Sequence, residues 1–350
     1  KPSGVWIMAY TVIDNPGDYF NPVLYTGNES TNAISGIGFQ PDWVWLKAKD
    51  SGGVDHFLFD SVRGVQKNIH SNTTDAEVTT SNSLTAFGSD GFTLGSDAYV
   101  NGSGQPHISW NWKAGGTASS NTDGTITSSV SANTTSGFSI VSYSGNSTAG
   151  ATVGHGLSTA PKMIIIKNLG VENWEVYHEG IGNTKGIYFN EADASFPTSA
   201  RWNNTSPTNS VWTMGSTTAV NGTGVNYIAY CFTEKKGYSK FGTYVGNGNA
   251  DGTFVYTGFK PAFYMYKRTD STSNWTIFDN KRNTFNEMGL QLHPNLSNAE
   301  SFSSRGDFLS NGFKVRATAG STNASGGNYI YMAFAENPLV GSNGIPATAR

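Results

Sequence analysis

Apolar residues in this chain recur at every second position in short runs and hardly anywhere at helical spacing. HISWNW, ending at Trp112, and YIAYCF, ending at Phe232, show the alternation most clearly. Both are built from residues that favour the extended backbone. Gly, Asn, Asp and Ser clusters separate the runs, so the pattern predicts many short β-strands joined by tight turns. The best candidate for a helix is the short stretch NLSNAESF from Asn295, with Asn or Ser as its cap.

The strand pattern occurs three times. YFNPVLYTGN, GFSIVSYSGN and GYSKFGTYVGN place Tyr25, Tyr143 and Tyr244 before Gly27-Asn28, Gly145-Asn146 and Gly246-Asn247. A proline then leads a strand to a lysine six residues on: Pro41 to Lys47, Pro161 to Lys167, Pro261 to Lys267. The strands HFLFD, WEVYH and WTIFD follow, ending at Asp60, His178 and Asp279. DGFTLG, SVWTMG and NGFKVR align in the back half. Asn101, Asn221 and Asn323 then each stand six residues before His107, Tyr227 and Tyr329. Spacings matched this often mark a triplication.

Each copy has about 100 residues, the common size of one domain. Together with the strand pattern this predicts an all-β chain of three tandem β-sandwich domains, jelly-roll and lectin-like. The boundaries are an N-terminal segment 1–17, repeats at 18–116, 135–236 and 237–340, and a tail 341–350. The small polar residues of 117–134 predict a flexible linker.

Trp43 and Trp45 resemble a sugar platform, but the repeats argue against it. Trp43, Trp45 and Lys47 share one face of a strand. Their counterparts are Met163, Ile165 and Lys167, then Phe263, Met265 and Lys267. A core face tolerates that exchange and a sugar platform does not. The opposite face is also apolar, and in the third copy it carries Tyr264 and Tyr266. Something must cover it: a second sheet, a neighbouring domain or another subunit. The two tyrosines are therefore candidate interface residues.

Composition narrows the function. Charged residues are 13% of the chain and the net charge is −3, so there is no basic stripe for nucleic acid. No apolar run reaches the ~18 residues of a membrane-spanning helix. Cys231 is the single cysteine, which excludes an internal disulfide and predicts a small buried apolar residue. The opening KPSGVWIMAY is a poor signal peptide, with Met8 as the candidate natural start. No esterase elbow, zinc-protease helix or phosphate loop is present. Asp60 and Asp279 recur at one aligned place where the second copy has His178, which suits a turn better than a glycosidase carboxylate pair. The loops NTDGT and GNGNADG lack calcium-loop spacing and read as turns. No cofactor or metal is expected.

Residues bulky in all three copies (Trp112, Trp212, Phe232, Phe334) are assigned to the core. Copy-specific loop aromatics remain as glycan candidates: Trp202, flanked by Arg201 and Asn203, and Trp6.

IDNPGDYFNPVLYTGN, GFQPDWVWLK, LFDSVRG, SDGFTLG, WNWKAGG, APKMIIIKN, YIAYCFTEKKGYSKFGTYVGNG, FVYTGFKPAF and YIYMAFAENP together resemble a family of phage virion proteins found in marine and cyanobacterial phages. Its members carry a domain of unknown function and are described as structural or tail-fibre-like. The likeness runs from about Met8 to Arg350, and the ending NPLVGSNGIPATAR looks like the family's C-terminus. The resemblance implies a non-enzymatic component of the extracellular particle: a tail fibre or appendage touching the host surface, through glycans among other receptors, or a capsid decoration protein. Its partners would be other virion proteins. A homo-oligomer is implied, a trimer if the protein is a fibre, with neither nucleic acid nor membrane insertion. The resemblance brings no catalytic residues. A secreted lectin-like adhesin and a glycan depolymerase are the alternatives.

Overall fold

The computed structural model describes residues 10–341 together with Gly344 and Pro346. Trp6, Met8 and most of the 341–350 tail lie outside the described residues. The chain is all-β and sandwich-like, as its alternation predicts. In each repeat the main sheet follows one strand order. In the first it runs Phe20–Thr26, Pro106–Trp112, Trp43–Ala48, Phe57–Asp60, Lys67–His70, Val78–Thr79. In the second it runs Phe138–Ser144, Asn226–Phe232, Met163–Asn168, Trp174–His178, Lys185–Tyr188, Phe196–Pro197. In the third it runs Ser239–Val245, Asn328–Pro338, Phe259–Arg268, Thr276–Asp279. Register repeats as well: Trp43 pairs with Trp112, Met163 with Phe232 and Phe263 with Phe334.

A smaller sheet covers one face of each main sheet. Strands Asn32–Ile34, Gly91–Leu94 and Leu84–Gly88 form it in the first repeat. Thr152–Gly154 and Val211–Thr213 form it in the second, and strands around Gly312–Val315 in the third. Each sandwich has its own core. Val44 and Leu46 pack with Phe92 and Leu94; Ile164 and Ile166 with Trp212; Tyr264 and Tyr266 with Phe308 and Phe313. Tyr264 and Tyr266 are thus corrected: they are 2% and 1% exposed and lie under their own second sheet, with the Tyr264 ring 4.0 Å from Phe313. They offer no surface to another subunit.

The other face of each main sheet turns inward, and there the three repeats meet. Trp43, Trp45, Trp110 and Trp112 form one cluster with Met163, Ile165, Tyr230 and Phe232, and with Phe263, Met265, Met332 and Phe334. Trp43 stacks on Tyr230 with centroids 4.3 Å apart, and Phe20 on Phe334 at 5.1 Å. The period of two therefore serves two cores, one private to a repeat and one shared by all three. The repeats are three sheets around one axis, joined more closely than tandem domains.

Each seam is sewn by a reciprocal pair of backbone hydrogen bonds. Glu77 N–H reaches Leu169 O and Glu172 N–H reaches Thr74 O; Ser195 N–H reaches Thr269 O and Ser273 N–H reaches Ala192 O; Gly53 N–H reaches Ser297 O and Glu300 N–H reaches Lys49 O. The third pair joins the last repeat to the first, so the ring closes. The triplicated lysines sit at the same seams. Lys47 Nζ donates to Val54 O and Ser297 O, Lys167 to Thr74 O, Gly170 O and Glu172 O, and Lys267 to Ala192 O and Ser273 O. Burial lowers each ammonium to about 8.

Two further expectations fail. The predicted 117–134 linker is a hairpin: Ser119–Asn121 and Ser128–Asn133 extend the second main sheet beside Phe138–Ser144. Two of its serines are buried: Ser128 Oγ donates to Gly154 O and Ser131 is 1% exposed. Residues from Asn295 form no helix, because the Asn295 side chain accepts from Trp275 N–H and donates to Asn274. Among the described residues the α-helices are instead single turns at Ala98–Asn101, Thr218–Asn221 and Gly320–Asn323.

All six histidines are held below their ordinary value of 6.5, chiefly by burial, with His107 and His178 at about 4. Between those values the unfolded chain binds more protons than the folded one. Stability is therefore lost as pH falls from 6.5 towards 4. Glu175, raised to about 7 by burial, and Asp42 and Asp97, also raised by burial, act in the opposite sense but are outnumbered by the histidines. The melting midpoint should fall between pH 7 and pH 5, and a rising midpoint would contradict the burial.

Candidate functional site

Residues shared by all three repeats are occupied in holding the fold. Asp60 accepts from the N–H groups of Val62 and Arg63 and pairs with the Arg63 guanidinium. Asp279 does the same with Lys281 and Arg282. Each also reaches into the next repeat: Tyr230 Oη donates to Asp60 at 2.8 Å, and Trp110 Nε1 to Asp279 at 3.1 Å. His178 completes the ring, its Nε2 3.1 Å from Tyr331 O. These carboxylates cap turns and lock seams.

Asn101, Asn221 and Asn323 are fully buried and tie down the Gly-Asn turns. Their side-chain oxygens accept from Asn28, Asn146 and Asn247 N–H, and their amides donate to nearby carbonyls. Tyr25, Tyr143 and Tyr244 close the same corner by donating to Val100, Val220 and Thr322 carbonyls. A Cβ on Gly27, Gly145 or Gly246 would lie 2.2, 2.5 or 2.3 Å from the facing carbonyl oxygen, so only glycine fits there.

The predicted glycan residues lie elsewhere than expected. Trp202 is 1% exposed, edge-on to Tyr177, with Nε1 donating to Lys185 O. Its ring offers no face to a sugar. Asn203 and Asn204 adopt left-handed backbone (φ 48° and 50°), and this turn tucks the indole inward. Arg201 is engaged with Glu175 at 3.0 Å and Tyr188 at 3.3 Å and lies over Phe196. The two Asn/Asp loops are internal turns: Asn121 accepts from Asp123 N–H, Asn249 from Asp251 N–H, and the Asp251 carboxylate pairs with Lys314 and Arg316. Cys231 is fully buried, as predicted. Among the described residues no group of three His, Cys, Asp or Glu is placed to hold a metal.

What remains is a groove of about 390 Å³ on the first repeat, lined by Tyr99, Phe57, His70, Asp55, Asp97 and Asn68 among others. The helical turn at Ala98–Asn101 lifts Tyr99 out of the sheet, and the residue is 60% exposed. It stacks over Phe57 with centroids 6.1 Å apart and planes 20° from parallel. Phe57 meets His70 edge-on at 4.5 Å. Asp97 caps the turn by accepting from Tyr99 N–H, and burial raises its carboxyl. Asp55 accepts from Asn72, and its other oxygen lies 3.5 Å from His70 Nδ1. Both ring nitrogens of His70 are buried and make no hydrogen bond, and burial lowers its pKa. An exposed aromatic face bordered by two carboxylates suits a hydroxyl-rich ring.

A larger cleft of about 480 Å³ lies between the second and third repeats. Several of its polar groups are engaged: Ser195 Oγ donates to Thr269 O, Thr269 Oγ1 to Asn328 O, and Asp270 holds Arg268, while Lys185 of the same lining is exposed. Its tyrosines, Tyr244 and Tyr329, are buried and stacked. The first-repeat groove is the better candidate.

Sequence reasoning missed this groove, though one signal pointed to it. Tyr99 stands where the other repeats have Ala219 and Ser321. It is an aromatic residue specific to one copy, the criterion that selected Trp202.

The domain of unknown function DUF7483 matches residues 15–338, and the chain belongs to that family. No curated protein and no solved structure matches it.

Proposed function

We propose that this protein is a non-enzymatic component of a phage particle, a tail fibre or appendage that touches the host surface by binding a glycan in the Tyr99 groove. The observation that carries the glycan reading is the groove itself. It holds an exposed aromatic residue, found in one repeat alone, beside carboxylates suited to sugar hydroxyls. The virion setting rests on the sequence resemblance. A closed body with three seams and few surface charges is consistent with a durable extracellular particle protein. Its internal threefold arrangement also matches a threefold-symmetric partner on such a particle.

The test has two arms. Immunogold imaging of intact particles should place the chain on their surface, and its absence from particles would overturn the virion reading. A glycan array with the purified chain should return hits that Tyr99→Ala abolishes. Base–aromatic and sugar–aromatic stacking are comparable in kind, so a loss of about tenfold or more is expected. Hits indifferent to Tyr99 would overturn the groove as their site. A depolymerase is the second reading, because Asp55 and Asp97 share the groove. Steady release of reducing ends from a bound polysaccharide would favour it over simple binding.

A further inference from the structure

We infer that the Tyr99 groove selects a cationic sugar, one bearing a free amine, and rejects acidic glycans. This rests on the reading that the groove binds a sugar, and it adds the ligand's charge class.

The groove's formal charges are Asp55 and Asp97, and no lysine or arginine lines it. Nearby cations of the same repeat are engaged elsewhere. Arg63 and Lys67 both hold Glu77, and Lys47 is buried on carbonyl oxygens. His70 is the one other titratable group in the lining besides Tyr99, and burial lowers its pKa. A sugar ammonium entering here meets two carboxylates and the π-face of Tyr99, which attracts cations. A uronate or sialate carboxylate meets two like charges and no counter-charge. The His70 ring nitrogens are buried and add no charge to the groove, so the two carboxylates and the Tyr99 ring set its chemistry.

The sister repeats show that this chemistry is not needed for folding. Asp55 accepts from Asn72 where Asn173 accepts from Asn190 and Asn274 from Asn295. Asp97 stands where the second repeat caps its turn with Thr217 and the third has Ala319. The fold uses Asn and Thr at these two places in other copies. Negative charge and an exposed ring are therefore particular to the first.

The test is titration calorimetry of the full chain with three oligosaccharides: glucosamine oligomers with free amines, their N-acetylated counterparts, and oligogalacturonate. The free-amine oligomer should bind about tenfold or more tightly than the N-acetylated one, and oligogalacturonate should not bind. In the double variant Asp55→Asn/Asp97→Thr, which keeps the turn cap, that preference should vanish while the melting midpoint holds. Equal affinity for amine and N-acetyl forms, or binding of oligogalacturonate, would overturn the charge selection and leave sugar binding standing. No binding of any sugar would overturn both.

Discussion

Asp279→Ala should destabilise the whole chain by about 3–5 kcal/mol, the usual cost of removing one partner of a buried ion pair. Its loss leaves the Arg282 guanidinium, fully buried, with only Glu300 as a carboxylate partner at 3.0 Å. The turn loses the acceptor for Lys281 and Arg282 N–H, and Trp110 Nε1 loses its partner across the seam. The second repeat shows the alternative. There His178 and Ile181 occupy the positions of Asp279 and Arg282, so the ion pair is replaced as a unit. The double variant Asp279→His/Arg282→Ile should therefore be more stable than Asp279→Ala. Denaturant midpoints decide it: a double variant weaker than the single one would show that the pair is not exchangeable.

Asn323→Ala should cost about 1–3 kcal/mol, because it removes a fully buried amide and leaves part-buried backbone groups without their partners. Asn247 N–H loses its acceptor, and the carbonyls of Asn249 and Ala317 lose their donor. Asn323→Asp keeps the acceptor but places a charge among carbonyl oxygens, and it should be no better than alanine. A change below about 0.5 kcal/mol, the range of ordinary surface substitutions, would mean that the amide does not organise this corner.

Much of this was legible in the sequence. The spacing from Asn101, Asn221 and Asn323 to the aromatic or His six residues later is the spacing of a one-turn helix and its return strand. The Trp43/Met163/Phe263 comparison identified a packing face, because apolar bulk survives repeat-to-repeat exchange and ligand contacts do not. What could not be read is which surface a buried face meets. Alternation reports burial and leaves the neighbour unnamed, so the face of Tyr264 and Tyr266 suited a subunit as well as the private sheet that covers it. The shared core was hidden for the same reason. Composition misled at 117–134, since serine and threonine in an ordered hairpin look like a linker. At Trp202 it misled again, because polar flanking residues suggested exposure while two left-handed asparagines turned the ring inward. Tyr99 was overlooked since it sits inside a repeated motif, and only comparison with Ala219 and Ser321 marks it.

The central structural claim is that three repeats fold as one body around a common core, with recognition on copy-specific surface. Calorimetric unfolding of the whole chain tests it most directly. One cooperative transition is expected, with calorimetric and van't Hoff enthalpies equal, because melting any repeat strips the shared face of Trp43, Tyr230 and Phe334 from the other two. Separate transitions, with one repeat melting while the others stay folded, would contradict it.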